Sequence, residues 1–176
     1  KNKLSRELGI DKQQADQILR EYNQKVPFVK QLANRAAESA DKNGAIWTLK
    51  GRKCRFNMWE PSSFGLHKAT SFEDAVNKYG KNNIKRAMTY KALNRLIQGS
   101  AADQVKQAMI DCAKKNFIPI IQIHDELCFS IPHERLEPAC NEIKKIMEVC
   151  IPELKVPSKV DISTGMNWGQ TNDSQD

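Results

Sequence analysis

The sequence lacks long apolar runs. No stretch of the chain approaches the roughly 20 consecutive apolar residues that a membrane span requires. The opening residues, Lys1-Asn2-Lys3-Leu4, are followed by no apolar segment of the kind that defines a signal peptide. We therefore predict neither a membrane partner nor a secreted precursor. The chain also begins with lysine instead of methionine, which predicts a fragment or a processed product.

Cysteine patterns that build disulfide frameworks or zinc sites are also missing. The cysteines are odd in number, and no two form a Cys-x-x-Cys pair. Most lie in apolar patterns, which is typical of small buried side chains in a reducing compartment. The sequence therefore predicts free thiols and a cytoplasmic location. These residues are Cys54, Cys112, Cys128, Cys140 and Cys150.

Acidic residues are outnumbered, and glycine-rich phosphate loops are absent. The 28 Lys and Arg against 21 Asp and Glu give a net charge of +7. This balance favours a polyanionic partner, with nucleic acid ahead of a membrane surface, although a merely basic protein would show it too. Without a glycine-rich turn, neither a dinucleotide-binding unit nor a P-loop is predicted. The length fits one domain, or one domain plus part of another.

The local patterns predict an α+β fold with antiparallel strands. In the first half, Asp11 and Gln14 form a capping-box pattern, and Pro27 opens a second helix that Asn43-Gly44 ends. Further elements are expected as follows: a hairpin over 45–56 turning at Lys50-Gly51, a loop over 58–80 with a short helix capped by Thr70 and Glu73, a long helix over 83–116 interrupted at Gly99-Ser100, strands at 117–124 and 126–131, a helix with Pro138 in its first turn, a last strand at 159–163, and a frayed tail from Thr171.

Two carboxylates stand at the predicted tip of the second hairpin. Asp125 and Glu126 are adjacent, so they repel each other unless a cation offsets their charge. Oxygen ligands at a tight turn suit Mg²⁺. A solvated acidic turn accounts for the same residues, and His124 alone fits an ordinary strand histidine.

The long helix carries amides on one face. Lys91, Asn94, Gln98 and Ala102 recur at intervals of three and four, so they lie one above another. Amides can donate to the minor-groove acceptors that every base pair presents, which tests pair geometry without reading sequence. A polar helix face packed through small residues is the alternative. The basic hairpin is equally open, since Lys50, Arg52, Lys53 and Arg55 suit either phosphate contacts or a solvated surface.

The combination of these motifs resembles the C-terminal part of family A DNA polymerases. The stretch from Asn94 to Asp103 contains Gln98-Gly99-Ser100-Ala101-Ala102, and it precedes His124-Asp125-Glu126 by about twenty residues. Three further segments resemble family motifs in the same order: Leu4-Ser5-Arg6-Glu7-Leu8, Thr48-Leu49-Lys50-Gly51-Arg52-Lys53, and Val156-Pro157 with Gly165-Met166-Asn167-Trp168. Residues 58–80 lack an obvious counterpart and resemble an insertion or a phage-type variation.

The resemblance implies subdomains and residue roles. Residues 1–80 correspond to the rear helices and hairpin of the fingers, and 81–176 to a palm whose antiparallel sheet packs on long helices. Asp125 matches the second catalytic aspartate, which holds both Mg²⁺ ions. Glu126 matches the supporting carboxylate beside it, and His124 matches a residue near the primer terminus.

The resemblance also implies DNA contacts. Asn94 and Gln98 match minor-groove contacts to the primer-template. Tyr90 stands where many members carry an arginine, and Lys91 or Arg95 are candidates to replace that contact. Arg52 and Lys53, on the family's basic hairpin, are further candidate DNA-binding residues.

Several family parts have no match in this chain. The first catalytic aspartate, the dNTP-binding fingers helix, the thumb and any exonuclease domain are missing from it. We therefore expect DNA-directed DNA polymerase activity, with primer-template DNA, dNTP and Mg²⁺, only together with the rest of the polymerase in a bacterial cell or phage-infected host. The isolated chain is expected to be inactive. The alternatives are a non-catalytic DNA-binding subunit of a split polymerase and a metal-dependent nuclease using Asp161 as a further carboxylate.

Overall fold

The computed structural model describes residues 2–63, 65 and 67–172, and every structural statement concerns these residues. Seven α-helices lie in this part of the chain: α1 (Asn2–Leu8), α2 (Lys12–Lys25), α3 (Pro27–Asn43), α4 (Phe72–Tyr79), α5 (Ala92–Lys114), α6 (Leu136–Val149) and α7 (Trp168–Asn172). Six short strands accompany them: β1 (Ala45–Trp47), β2 (Lys53–Arg55), β3 (Trp59–Pro61), β4 (Ile84–Arg86), β5 (Ile121–Ile123) and β6 (Glu126–Cys128).

The strands pair into three antiparallel two-stranded ladders, β1–β2, β3–β4 and β5–β6. This mixture of helices and small antiparallel sheets confirms the predicted α+β class. No helix in the described part of the chain combines the length and apolarity that crossing a bilayer would take.

The chain divides into two compact units, Lys1–Ile97 and Gln98–Asp176. Residues 92–97 of helix α5 belong to the first unit and residues 98–114 to the second. The predicted fingers–palm boundary at residue 80 is defined by resemblance and stays a prediction.

The helix boundaries of the first unit follow local capping chemistry. Oδ1 of Asp11 accepts from the backbone N–H groups of Gln13 and Gln14 at 2.7 and 2.8 Å, and the Gln14 side chain accepts from the Asp11 N–H at 3.3 Å. Pro27 is the first residue of α3, and Gly44 ends that helix in the left-handed conformation with φ of 65°. The predicted capping box and both ends of α3 are confirmed.

Alanine-sized side chains let the first hairpin pack closely on α3. The core of the first unit combines Ala36 and Ala40 of α3 with Ile46, Phe56 and Ala92. The predicted turn is confirmed, because the Gly51 N–H donates to the Thr48 carbonyl at 2.9 Å. The side-chain oxygen of Thr48 also accepts from the Arg52 N–H, at 3.0 Å.

The region between the first hairpin and α5 differs from prediction. Strand β3 pairs with β4, so residues expected in a loop and at the start of a long helix form a ladder instead. The short helix is capped by Ser71, whose Oγ accepts from the Asp74 N–H at 3.1 Å, and not by Thr70 with Glu73. Thr70 is unavailable for that role because its backbone pairs with Trp59. Phe64 and Leu66 of the predicted loop lie outside the described residues.

Helix α5 begins at Ala92, not at 83, and no break occurs at Gly99-Ser100. The predicted interruption is wrong. A glycine inside a helix lowers its stability by only about 1 kcal/mol, and the hydrogen bonds of the other turns in a helix of 23 residues outweigh that loss. Its end is a Schellman motif. Asn116 is left-handed with φ of 64°, and the Phe117 N–H donates to the Cys112 carbonyl at 3.0 Å.

The second unit packs α6 against the end of α5. One core cluster joins Cys112 and Phe117 to Ala139 and Ile143 of α6. A second joins Ala108, Cys150 and Ile151. Pro138 is the third residue of α6, which confirms its predicted place in the first turn.

Two strand predictions for the second unit need correction. Strands β5 and β6 are shorter than the predicted 117–124 and 126–131, and Pro119 cannot donate to a ladder because it has no N–H. Residues 159–163 form no strand, since the Val160 N–H donates to a carboxylate oxygen of Glu148 at 3.2 Å instead of to a neighbouring strand. Of the tail predicted to fray, Thr171 and Asn172 belong to α7, and residues 173–176 lie outside the described part.

Candidate active site

The acidic residues lie at a two-residue hairpin turn. Ile123 of β5 pairs with Glu126 of β6, which leaves His124 and Asp125 as the connection. His124 has φ of 53°, a left-handed conformation that costs a non-glycine residue about 1–2 kcal/mol. The Gln122 side chain donates to the His124 carbonyl at 3.1 Å and supports this backbone. The turn places Asp125 at the apex, with Glu126 one residue into the returning strand.

The two carboxylates have different surroundings. Both residues are exposed, and no other described residue donates a hydrogen bond to Asp125 or forms an ion pair with it. Oε1 of Glu126 accepts from the indole Nε1–H of Trp168 at 3.0 Å and from the thiol of Cys128 at 3.4 Å. Partial burial, together with the hydrogen bond and negative charge of Glu126, raises the pKa of Cys128 above its usual value. The thiol therefore acts as a donor.

The donor set fits part of a magnesium site. Two adjacent exposed carboxylates offer the hard oxygen ligands that Mg²⁺ prefers, and Mg²⁺ needs only one or two carboxylates beside waters and phosphates. No group of three or more metal-binding side chains comes together among the residues with described positions. The third carboxylate that a nuclease interpretation needs is therefore not brought to the turn. Asp161 lines a separate groove with residues of α6.

The predicted amide residues lie in and around the start of α5. Asn94 and Gln98 are exposed and one turn apart on this helix. Tyr90 and Lys91 lie in the 3-10 turn before it, and the Lys91 ammonium is 5.7 Å from the Tyr90 ring centre. Both of these side chains are exposed. The amides are therefore presented to solvent, as contact with a duplex requires.

Arg95 occupies a more constrained position. Its guanidinium lies over the Phe56 ring, 4.6 Å from the centroid, and donates to the Arg55 carbonyl at 3.2 Å. Both contacts lie in the first unit, where Arg95 also lines a pocket of about 440 Å³ with Lys68 and His67. Its cationic group thus supports the hairpin as well as facing this pocket.

The first hairpin presents its basic side chains to solvent. Lys50, Arg52, Lys53 and Arg55 are all exposed. The Lys53 ammonium lies 5.5 Å from the ring centre of Trp47. Lys50 and Arg52 lie in the loop between β1 and β2, and Lys53 and Arg55 lie on β2, so the four cations belong to one short hairpin.

One contact of the acidic turn lay beyond sequence reasoning. Trp168 was recognisable as part of a terminal motif, but nothing in its neighbourhood points to Glu126. The two residues are 42 positions apart, and no spacing rule joins a C-terminal helix to a hairpin. The terminal motif was the available signal, without a role attached to it.

Comparison with solved structures shows what this fold is similar to. The structure is similar to the POL domain of Pol1 from M. smegmatis, solved in complex with DNA primer-template and dNTP, with a TM-score of 0.72 at 24% identity. That match covers 96% of this chain and 28% of the other. The chain thus has the fold of part of a polymerase domain.

The sequence comparisons identify the family. The family model described as DNA polymerase family A matches residues 1–170, so the chain belongs to DNA polymerase family A, which confirms the resemblance. The chain is 40% identical over 154 residues to a DNA-directed DNA polymerase of Pseudomonas phage M6. It is 30% identical over 171 residues to the thermostable DNA polymerase I of Thermus filiformis. These alignments cover 88% and 95% of this chain, but only 19% and 18% of the two relatives.

Proposed function

We propose that this chain supplies the second catalytic aspartate and the primer-terminus contacts of a DNA-directed DNA polymerase. One observation carries the proposal: in a chain that the family A model matches over residues 1–170, Asp125 is exposed at a two-residue turn. The reaction is the attack of a primer 3′-OH on the α-phosphate of a dNTP, with release of pyrophosphate. Primer-template DNA and dNTP are therefore the proposed substrates.

The residues divide the work by chemistry. Asp125 and Glu126 would hold part of a two-ion Mg²⁺ site, and His124 would lie beside the primer terminus. Two Mg²⁺ ions, when bound, supply positive charge at the attacking and leaving oxygens of phosphoryl transfer. The carboxylate of Asp125 is suited to this role because no described side chain neutralises it.

The α5 amides and the basic hairpin would bind DNA. Exposed Asn94 and Gln98 can donate to the N3 and O2 acceptors in the minor groove, which occur on every base pair. Such contacts accept any correct pair and reject a distorted one. Exposed Arg52 and Lys53 would contact backbone phosphates, with Tyr90, Lys91 and Arg95 as further candidates.

The proposed activity needs partners outside this chain. The chain spans less than one fifth of the relatives' length, and no third carboxylate joins the turn among the described residues. We therefore propose that the remaining polymerase segments, in cis or in trans, contribute the first catalytic aspartate and the dNTP-binding helix. The isolated chain is expected to bind DNA weakly and to extend no primer. A cytoplasmic location is proposed with this function.

Primer extension by the assembled enzyme tests the proposal. The chain would be joined to, or mixed with, the segments that carry the missing parts, and extension of a labelled primer would be followed. Asp125→Ala is expected to abolish extension while DNA affinity changes little. Asp161→Ala, which removes an exposed aspartate of the same unit away from the turn, is the matched control.

Each outcome of this assay has a distinct meaning. Near-normal extension by Asp125→Ala would remove that residue from the active site. DNA binding without extension in the wild-type assembly would favour the non-catalytic subunit of a split polymerase. Efficient extension by the 176-residue chain alone would refute the requirement for further segments.

A further inference from the structure

The C-terminal helix reaches back to the acidic turn. Trp168 is the first residue of α7, and its indole N–H donates to Oε1 of Glu126 at 3.0 Å. Both residues lie in the second compact unit. Trp168 is 48% exposed and Glu126 is exposed as well, so hydrophobic burial does not account for the contact.

Local hydrogen bonds hold the indole in place. A helix as short as α7 is not stable by helix propagation alone. Here the Asn167 side chain accepts from the Gln170 N–H at 3.1 Å, and the Gln170 side chain accepts from the Met166 N–H at 2.9 Å. The Thr171 hydroxyl donates to the Trp168 carbonyl at 2.7 Å. These bonds fix the backbone that carries Trp168.

Two donors converge on one oxygen of Glu126. Besides the indole, the Cys128 thiol donates to the same Oε1 at 3.4 Å. The terminal torsion of a glutamate is otherwise broad, so two donors on one oxygen restrict how the carboxylate rotates. The other oxygen, Oε2, accepts no hydrogen bond from the described residues, and Glu126 is exposed.

We propose that Trp168 is a positioning residue for the acidic turn. Its indole N–H fixes the Glu126 carboxylate, so that Oε2 and the carboxylate of Asp125 are presented to one divalent cation. An indole suits this role because it is a neutral donor and cannot accept. A lysine or arginine would hold the carboxylate equally well but would cancel the charge that a cation needs. The cation as ligand rests on the proposed function.

The hydrogen bond itself can be tested by NMR on the 176-residue chain without metal. The chain has three tryptophans, so three indole N–H signals are expected, and two of them serve as internal references. Glu126→Ala should shift the Trp168 signal upfield and accelerate its hydrogen exchange roughly tenfold, as expected for losing a bond to a charged group. Asp125→Ala removes the same charge one residue away and should leave the signal unchanged. Equal effects of both variants, or none from Glu126→Ala, would overturn the proposal.

The positioning role can be tested with Mn²⁺ alone as the probe. Paramagnetic broadening of the backbone signals at 124–126 reports binding at the turn. Trp168→Phe should raise the half-broadening Mn²⁺ concentration about tenfold, as typical when an outer partner of a metal ligand is lost. Trp47→Phe removes an indole of equal exposure, 48%, from the other unit and should change nothing.

The results separate this inference from the proposed function. Equal Mn²⁺ midpoints in the two tryptophan variants, or no broadening in the wild type, would refute the positioning role. A thermal melt that matches the wild type shows that Trp168→Phe remains folded. If this variant unfolds, the proposal is decided by the indole N–H signal of Trp168 in Glu126→Ala compared with Asp125→Ala. Failure of the wild-type assembly to extend primers would refute the polymerase proposal alone, because neither NMR experiment measures activity.

Discussion

The guanidinium of Arg95 lies 4.6 Å from the centre of the Phe56 ring and also donates to the Arg55 carbonyl. The sequence predicts that Arg95 contacts DNA. In the structure, its charged group already contacts and stabilises the first hairpin. The cation–π contact contributes about 0.5–1 kcal/mol, and the hydrogen bond, which is exposed, contributes about 0.5–1 kcal/mol. The two contacts join the start of α5 to the last residue of β2 and the residue that follows it.

Arg95→Ala should therefore destabilise the chain by about 1–2 kcal/mol, because the Phe56 ring and the carbonyl lose their partner. Urea unfolding measures the change. Lys91→Ala is the control, since the ammonium of that exposed lysine lies over the ring of the neighbouring Tyr90. If Arg95→Ala weakens DNA binding but leaves the free energy of unfolding unchanged, the contacts to the hairpin do not stabilise the chain and Arg95 acts mainly in DNA binding.

Gln98→Ala should weaken binding of the primer terminus and raise misinsertion in the assembled polymerase. Losing one minor-groove hydrogen bond of about 1 kcal/mol corresponds to roughly a fivefold effect. Steady-state insertion of matched and mismatched nucleotides measures it. Gln31→Ala removes an exposed glutamine from α3 and should leave both rates as they are. Identical fidelity in the two variants would argue against a minor-groove role.

Local patterns in the sequence correctly predicted the start of α2 and both ends of α3. Asp11 and Gln14 are three residues apart, and Gly44 needs only its own backbone freedom to end α3. The hairpin turn at Asp125 was predictable for the same reason. Where partners lie close together along the chain, a motif contains nearly all the information that decides the structure.

Pairings between distant segments could not be read in this way. Trp59 pairs with Arg86, so β4 forms only because β3 reaches it, while Ile84 taken alone fits a helical repeat. The same holds for the site. The hydrogen bonds from Trp168 to Glu126 and from Arg95 to Arg55 join residues 42 and 40 positions apart. No local periodicity encodes such contacts.

The cap of α4 offers a direct test of one corrected prediction. Ser71→Ala should cost about 1 kcal/mol of stability, because the Asp74 N–H loses its acceptor. Glu73→Ala, at the position that the sequence pattern favoured, should cost less than half of that because Glu73 does not take part in the cap. Urea unfolding of both variants decides between the two cap assignments. A larger loss from Glu73→Ala would restore the original one.

Cys112 should make the stability of the chain depend on pH in the alkaline range. Burial, with a smaller contribution from the negative charge of Asp111, raises the pKa of this thiol from 9.0 to about 11. Well below pH 9 the thiol is neutral in both states and stability is unaffected. Between pH 9 and 11 the unfolded chain loses the proton while the folded chain keeps it, so the free energy of unfolding falls as pH rises.

The loss between about pH 8 and pH 10.5 should reach about 2 kcal/mol, since each unit of pKa difference corresponds to about 1.4 kcal/mol. Urea unfolding at both pH values measures it, and Cys112→Ala should lose less stability over this range than the wild type by that amount. Cys54→Ala removes a half-buried thiol from the other unit and should keep the wild-type slope. If the free energy of unfolding falls equally with pH in the wild type and in Cys112→Ala, ionisation of the buried thiol does not destabilise the folded chain.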